Sequence, residues 1–143
     1  MKYSLFILII TAGFLHGCTK KSQQDHDCSS AECLKQRAYD KVIAVHDKVM
    51  PRLAEISLLK EKIEAQIKVA DDSVVIADWR NLLDTLDSAD KSMWEWMHQF
   101  NGDLADMSID EAFAYLKQQQ AKIDEVKENV DGAIKQAEEK LRK

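Results

Sequence analysis

Two short stretches concentrate the side chains that could do chemistry. "SMWEWMHQF", Ser92 to Phe100, holds two tryptophans, two methionines and a histidine. "HDKVMP", His46 to Pro51, adds an imidazole, a carboxylate and another thioether. His46/Met50 and Met93/Met97 are each spaced i,i+4, so each pair lies on one helical face. Imidazole and thioether together suit a soft cation, and thioether sulfur favours Cu(I), or Ag(I) by the same softness. Zinc would prefer thiolate, imidazole or carboxylate. The candidate ligands are His46, Met50, Met93 and Met97, with His98 one step away. A Trp ring alongside could shield Cu(I) or meet it through the π face. Asp47 could orient the neighbouring imidazole, or could equally be a carboxylate near a helix kink.

The competing reading is a bulky interior. Met fills irregular gaps, and a Met and aromatic stripe at helical spacing is the ordinary pattern of a core. Met93, Trp96 and Phe100 fall on the apolar seam of their segment. Trp94 and His98 fall off it and could form an exposed patch for a partner. His26 reads as solvent-exposed and inert.

These residues need long helices to hold them. Between about Ala31 and Ala70, apolar residues recur at Leu34, Ala38, Val42, Val45, Val49, Leu53, Ile56, Ile63 and Ile67, which is the spacing of one amphipathic helix. Pro51 removes a backbone donor and clashes with the carbonyl four residues back, so a kink or short break is expected near Asp47 to Met50. "ADDSVV" supplies the next cap, at Asp72 or Ser73. A second stripe, Val75, Trp79, Leu82, Leu86, Ala89, Met93, Trp96 and Phe100, alternates steps of four and three, a heptad seam. Asn101-Gly102 ends it. Ser108-Ile109-Asp110-Glu111 is a capping box. It opens a third stripe through Ile109, Phe113, Leu116, Ile123, Val126, Val130, Ile134, Ala137 and Leu141. Gly132 weakens that helix by up to about 1 kcal/mol without breaking it.

At ~1.5 Å per residue the helices would be roughly 60, 42 and 50 Å long. Short loops make neighbours antiparallel, so the expected fold is all-α, an elongated up-down-up three-helix bundle over residues 29–143. A turn near residues 71–72 places His46 level with Met97 and Met50 level with Met93. The chemistry-bearing residues then form one band across two helices. The heptad seam could also recruit a second copy of the chain.

The beginning of the chain carries a different signal. Leu5 to Leu15, "LFILIITAGFL", is an apolar run of h-region length, too short to span a bilayer. It ends in Leu15-His16-Gly17-Cys18, which resembles the lipobox of bacterial lipoproteins. In that family the Cys becomes the first mature residue and carries acyl chains. His16 departs from the small residue usual there. The alternatives are an ordinary signal peptide cut nearby or an uncleaved anchor. Residues 1–17 are thus read as a signal peptide, Cys18 as the lipidation site and residues 18–28 as a polar, flexible tether. Loss of Lys2 with residues 1–17 moves the formal charge from −5 to −6. An acidic chain without a basic block argues against nucleic acid and against electrostatic attachment to anionic lipid. Membrane contact is expected through the acyl groups.

Cys28 and Cys33 remain as an even pair in an oxidising compartment. In "CSSAEC", Ser29 and Glu32 fit a capping box, which puts the two cysteines at the staple positions of the first turn. A disulfide is geometrically plausible there. The other reading is a thiol metal pair with His26.

"HDKVMPRLAEI" and "MWEWMHQF", after a lipobox and before a long helix containing "AFAYLKQQQAKIDEVK", resemble a family of small lipoproteins of Bacteroidota often labelled "viral A-type inclusion protein". The resemblance covers nearly the whole mature chain. The label reflects generic coiled-coil similarity to a viral protein, and no functional residue is carried over from it.

Little points to catalysis. Two glycines after residue 17 cannot build a phosphate loop, and no G-x-S-x-G or H-E-x-x-H occurs. Asp71/Asp72 and Glu138/Glu139 read as a cap and as surface charge. The expected protein is a non-catalytic, lipid-anchored helical module of a Gram-negative envelope, presenting its faces to another envelope protein. No acidic run follows Cys18, and Thr19-Lys20-Lys21 carries no obvious inner-membrane retention signal, so an outer-membrane anchor facing the periplasm is expected. The alternative function is copper buffering or handling through the His/Met band.

Overall fold

The computed structural model describes residues 28–142. Residues 1–17, read above as a signal peptide, Cys18, His26 and all of the segment read as a tether except Cys28 lie outside the described residues. Three helices account for nearly all of the rest: α1 (Ala31–Val69), α2 (Ser73–Gln99) and α3 (Ile109–Leu141). They form an all-α three-helix bundle.

Polar contacts show how the helices run. His46 meets Met97 and Lys60 pairs with Asp87, so α1 and α2 are antiparallel. Asp78 pairs with Lys140 at 3.2 Å and Phe100 stacks on Tyr115, so α2 and α3 are antiparallel as well. Ala38 lines a groove with Leu116, and Arg52 reaches Asp131 at 2.7 Å, so α1 and α3 run the same way. The turn between α1 and α2 therefore sits at one end of the rod, and the loop after Phe100 sits at the other.

The caps follow local chemistry. Asp72 opens α2, its Oδ1 accepting from the amides of Val74 at 2.7 Å and Val75 at 3.3 Å. The capping box opening α3 is complete, with Glu111 N–H donating to Ser108 Oγ and Ser108 N–H to Glu111 Oε2. α1 begins one residue later than the capping-box reading of "CSSAEC" requires. Ser30, not Ser29, is the N-cap, its Oγ accepting from Cys33 N–H at 3.3 Å. Glu32 then lies too early in the helix to reach back, and it pairs with Lys35 at 2.7 Å. Cys33 stands at the third helical position and is joined to Cys28 by a disulfide, with Cα atoms 5.5 Å apart.

The helix is not broken at Pro51. Residues 47–50 and Pro51 itself stay helical inside α1. Pro51 faces solvent, where the Asp47 carbonyl it leaves without an amide donor can be hydrated.

The core matches the three stripes over most of their length. Val42, Val49, Leu53, Ile56 and Ile63 from α1 meet Trp79, Leu86, Ala89, Met93 and Trp96 from α2 and Leu116, Ile123, Val126, Val130, Ile134 and Ala137 from α3. The ends of the stripes fall outside it: Leu34 and Val75 are each 41 % exposed. Each seven-residue step in a stripe proves to be occupied. Leu59 fills the one between Ile56 and Ile63, and Gln119 fills the one between Leu116 and Ile123. Among the described residues no helix is long and apolar enough to cross a membrane.

Candidate functional site

The antiparallel turn at residues 70–72 brings the two chemistry-bearing stretches together. His46 Nε2 lies 3.4 Å from Met97 Sδ, a contact between side chains 51 positions apart. The other ring nitrogen is engaged as well, with His46 Nδ1 2.9 Å from Asp47 Oδ1. A carboxylate only accepts, so Nδ1 carries the proton and donates it to Asp47. In the neutral ring that leaves the Nε2 lone pair facing the thioether. Asp47 thus holds the imidazole in one tautomer and orientation, the way a carboxylate behind a ligating histidine does.

The Trp96 ring lies beside His46, centroids 5.9 Å apart and planes tilted by 37°. Trp96 is 5 % exposed, and its indole Nε1–H finds no acceptor among the described residues. The His46 side chain is 26 % exposed and Met97 is half-buried, so the contact sits at the edge of the core rather than inside it.

The other candidates are placed differently. Met93 is wholly buried and belongs to the core. Met50 is half-buried and packs against that core. His98 is exposed, and its Nδ1–H donates to the Trp94 carbonyl one turn earlier at 2.7 Å, so the ring is held on its own helix. Trp94 is 47 % exposed. The structure therefore brings His46 and Met97 into contact, with Asp47 and Trp96 around them, and gives Met93 a packing position. Among the described residues no group of three or more His, Cys, Asp or Glu side chains converges.

One feature of this end of the bundle is absent from the stripe reading. Phe100 stacks on Trp96 at 4.8 Å, on Tyr115 at 6.1 Å and against Tyr39 at 5.9 Å. This aromatic cluster ties all three helices together where the 100–108 loop crosses between α2 and α3. Asn101 N–H donates to the Tyr115 hydroxyl at 2.6 Å, which satisfies an amide just past the end of α2. A Cβ at Gly102 would meet the Tyr39 hydroxyl at 3.3 Å, so the loop passes close over that ring. Tyr39 and Tyr115 lie one position off their helices' apolar stripes, beside Ala38 and Leu116, and only that adjacency hinted at their role.

Outside this band, the surface carries ion pairs and open grooves. Arg52 donates to Glu55 at 3.1 Å and to Asp131, and Lys127 donates to the second Asp131 oxygen at 2.8 Å. The hydrogen bond to Asp131, with the aspartate's charge added, raises the Lys127 pKa. Lys60 is likewise raised, chiefly by its hydrogen bond to Asp87, against the opposing effect of burial and with the charge of Asp87 adding to the rise. An open groove between α2 and α3 is lined by Asp84, Thr85, Ser88, Glu128, Asn129 and Gly132. No known protein family, characterised protein or solved structure matches the chain.

Proposed function

We propose that the protein is a lipid-anchored, non-catalytic helical module of a bacterial envelope, held by acyl chains on Cys18 and offering its helical faces to another envelope protein. One observation carries this reading. The lipobox-like Leu15-His16-Gly17-Cys18 is followed by a polar segment, and that segment feeds directly into the start of a long helical rod at Ser30. The tethered end is then the N-terminus of α1, where the Cys28–Cys33 disulfide fastens the incoming chain to the first turn. With 39 residues in α1, the turn between α1 and α2 stands roughly 58 Å away. Val69 and Val74 flank that turn, 75 % and 69 % exposed.

The test has two parts. Expressed in a Gram-negative host, the chain should incorporate labelled palmitate and fractionate with the outer membrane, and Cys18→Ser should lose both properties. A wild-type chain that takes up no palmitate ends the lipoprotein reading. A photo-crosslinking residue placed in turn at Leu58, Val74 and Trp94 should then give a discrete adduct with another envelope protein in living cells. Adducts only with lipid, or none at any position, would remove the interaction module.

A further inference from the structure

We propose that His46 and Met97 form a two-donor site for a monovalent soft cation, Cu(I) with Ag(I) as its redox-inert analogue, at the seam between α1 and α2 beside the Trp96 ring. The inference is independent of the lipid anchor and of any protein partner.

The donor atoms already stand at chelating separation. Zn(II), a d10 ion, binds imidazole nitrogen at about 2.0–2.1 Å and thiolate sulfur at about 2.3 Å, lengths that serve as a guide for Cu(I). Two donors 3.4 Å apart then subtend an angle of roughly 100–105° at the ion, the angle of a three- or four-coordinate centre whose remaining positions solvent fills. An ion seated to one side of the Nε2···Sδ line would lie within bonding distance of both donors at this separation. The tautomer suits it too, because Asp47 takes the Nδ1 proton and leaves Nε2 free to ligate.

Neither donor is local to the other. His46 comes from α1 and Met97 from α2, so folding the antiparallel pair performs the ordering that a flexible chelate would undergo on binding. The core fixes both helices close by, with Val49 on α1 and Met93 and Trp96 on α2 all buried. Met97 follows Trp96 directly, and the indole beside His46 gives the site a partly dry, polarisable wall. The His46 side chain keeps 26 % of its surface open, which is the route for an ion to enter.

The donor set also selects the ion. A neutral thioether binds Ca(II), Mg(II) or Zn(II) poorly, and no third His, Cys, Asp or Glu ligand converges with His46 among the described residues. A d10 monovalent ion such as Cu(I) takes neutral soft donors. Asp47, 68 % exposed behind the imidazole, supplies one negative charge to balance it.

The experiment uses the full chain in detergent with Cys18→Ser and with Cys28 and Cys33 oxidised, so that no free thiol competes. Methionine methyl carbons are labelled, and silver nitrate is added without chloride. The Met97 methyl signal and the His46 ring signals should move together and saturate at one equivalent, with a parallel loss of Trp fluorescence. Met97→Leu keeps the side-chain volume and His46→Gln keeps a polar surface group, and each should weaken Ag(I) binding at least tenfold with the helical spectrum unchanged. Zn(II) at the same concentration should leave the Met97 signal in place. The proposal is overturned if any other methionine responds while Met97 does not, if either variant binds as tightly as the parent chain, or if no methyl signal moves.

Discussion

Met93 and Met97 sit four residues apart on one helix and face the same partner, yet they occupy different environments. Met93 is 0 % exposed at the centre of the bundle, whereas Met97 is half-buried with its sulfur against an imidazole. Their substitutions should therefore separate. Met93→Ala leaves a cavity and should cost about 2–5 kcal/mol, while Met93→Leu, nearly conserving volume, should cost less than about 1.5 kcal/mol. Urea unfolding followed by circular dichroism measures both. A Met93→Ala change under about 1 kcal/mol would mean the site collapses around the smaller residue. This depth difference was only partly legible in the sequence. The i,i+4 spacing of Met93 and Met97 and the turn near residues 71–72 suffice to place His46 level with Met97. The heptad seam, which takes in Met93 and leaves Met97 beside it, points to the buried one, while the extent to which Met97 is covered depends on where α3 lies. His98 shows the same gap: its adjacency to Met97 suggested a shared site, but one helical step rotates it to the exposed side, where it bonds the Trp94 carbonyl.

The ends and the middle of each helix obey different local rules. Ser108 and Glu111 satisfy each other's backbone at the start of α3, so Ser108→Ala should destabilise the chain by about 1 kcal/mol in a chemical denaturation experiment. The Glu111 carboxyl is held below its ordinary value of 4.5, first by the Ser108 hydroxyl and then by the Ser108 amide. A carboxyl lowered in the folded state contributes stability that is complete above its unfolded pKa and lost as pH falls through the folded one. Glu111→Gln keeps the reach without the charge, so the gap between its urea midpoint and that of the parent chain should be open at neutral pH. It should close as pH drops below about 4.5, the model-peptide range for Glu. In the middle of α1, Pro51 is exposed and the helix runs through it. A proline inside a helix costs about 3 kcal/mol against alanine, so Pro51→Ala, which restores an amide for the Asp47 carbonyl, should raise stability by roughly 1–3 kcal/mol. A loss instead would show that the proline's geometry supports the packing of Val49 and Leu53. Helix existence and phase were readable from periodicity alone. The misplaced cap was not, because Ser29 and Ser30 are chemically equivalent and only the folded chain chooses between them. The filled steps at Leu59 and Gln119 show a related limit: Leu58 and Leu59 are alike in sequence and only Leu59 is buried, and a glutamine at a core position carries no apolar signal.

At the scale of the whole molecule, the question is whether the long seam of α2 is spoken for. Read as sequence, the alternating threes and fours from Trp79 to Phe100 would serve a second copy of the chain as well as they serve α1 and α3. In the folded chain Trp79, Leu86, Ala89, Met93 and Trp96 are each 8 % exposed or less, so that stripe is already covered from within. The ion pairs between helices do not set this arrangement. Arg52–Asp131, Lys60–Asp87 and Lys140–Asp78 all keep a third or more of their surface open on at least one side, and exposed pairs are worth about 0–1 kcal/mol each. The buried side chains supply the register, and opening the seam to a partner would expose them at about 25 cal/mol for each Å² of apolar surface. Among the described residues, the large apolar side chains left exposed are Leu34 near the start of α1, Leu58 in its second half, Val69, Val74 and Val75 around the turn, and Trp94 toward the opposite end, too dispersed along the rod to make a standard interface between copies. A soluble form beginning at residue 19 should therefore run as a single chain in light scattering across a hundredfold range of concentration. Small-angle scattering should give a rod of roughly 60 Å, the length set by α1. A dimer whose mass survives dilution would place an interface on one of those outlying residues. Leu58→Lys, Val74→Lys and Trp94→Lys, made one at a time, would then identify it by which change restores the monomer.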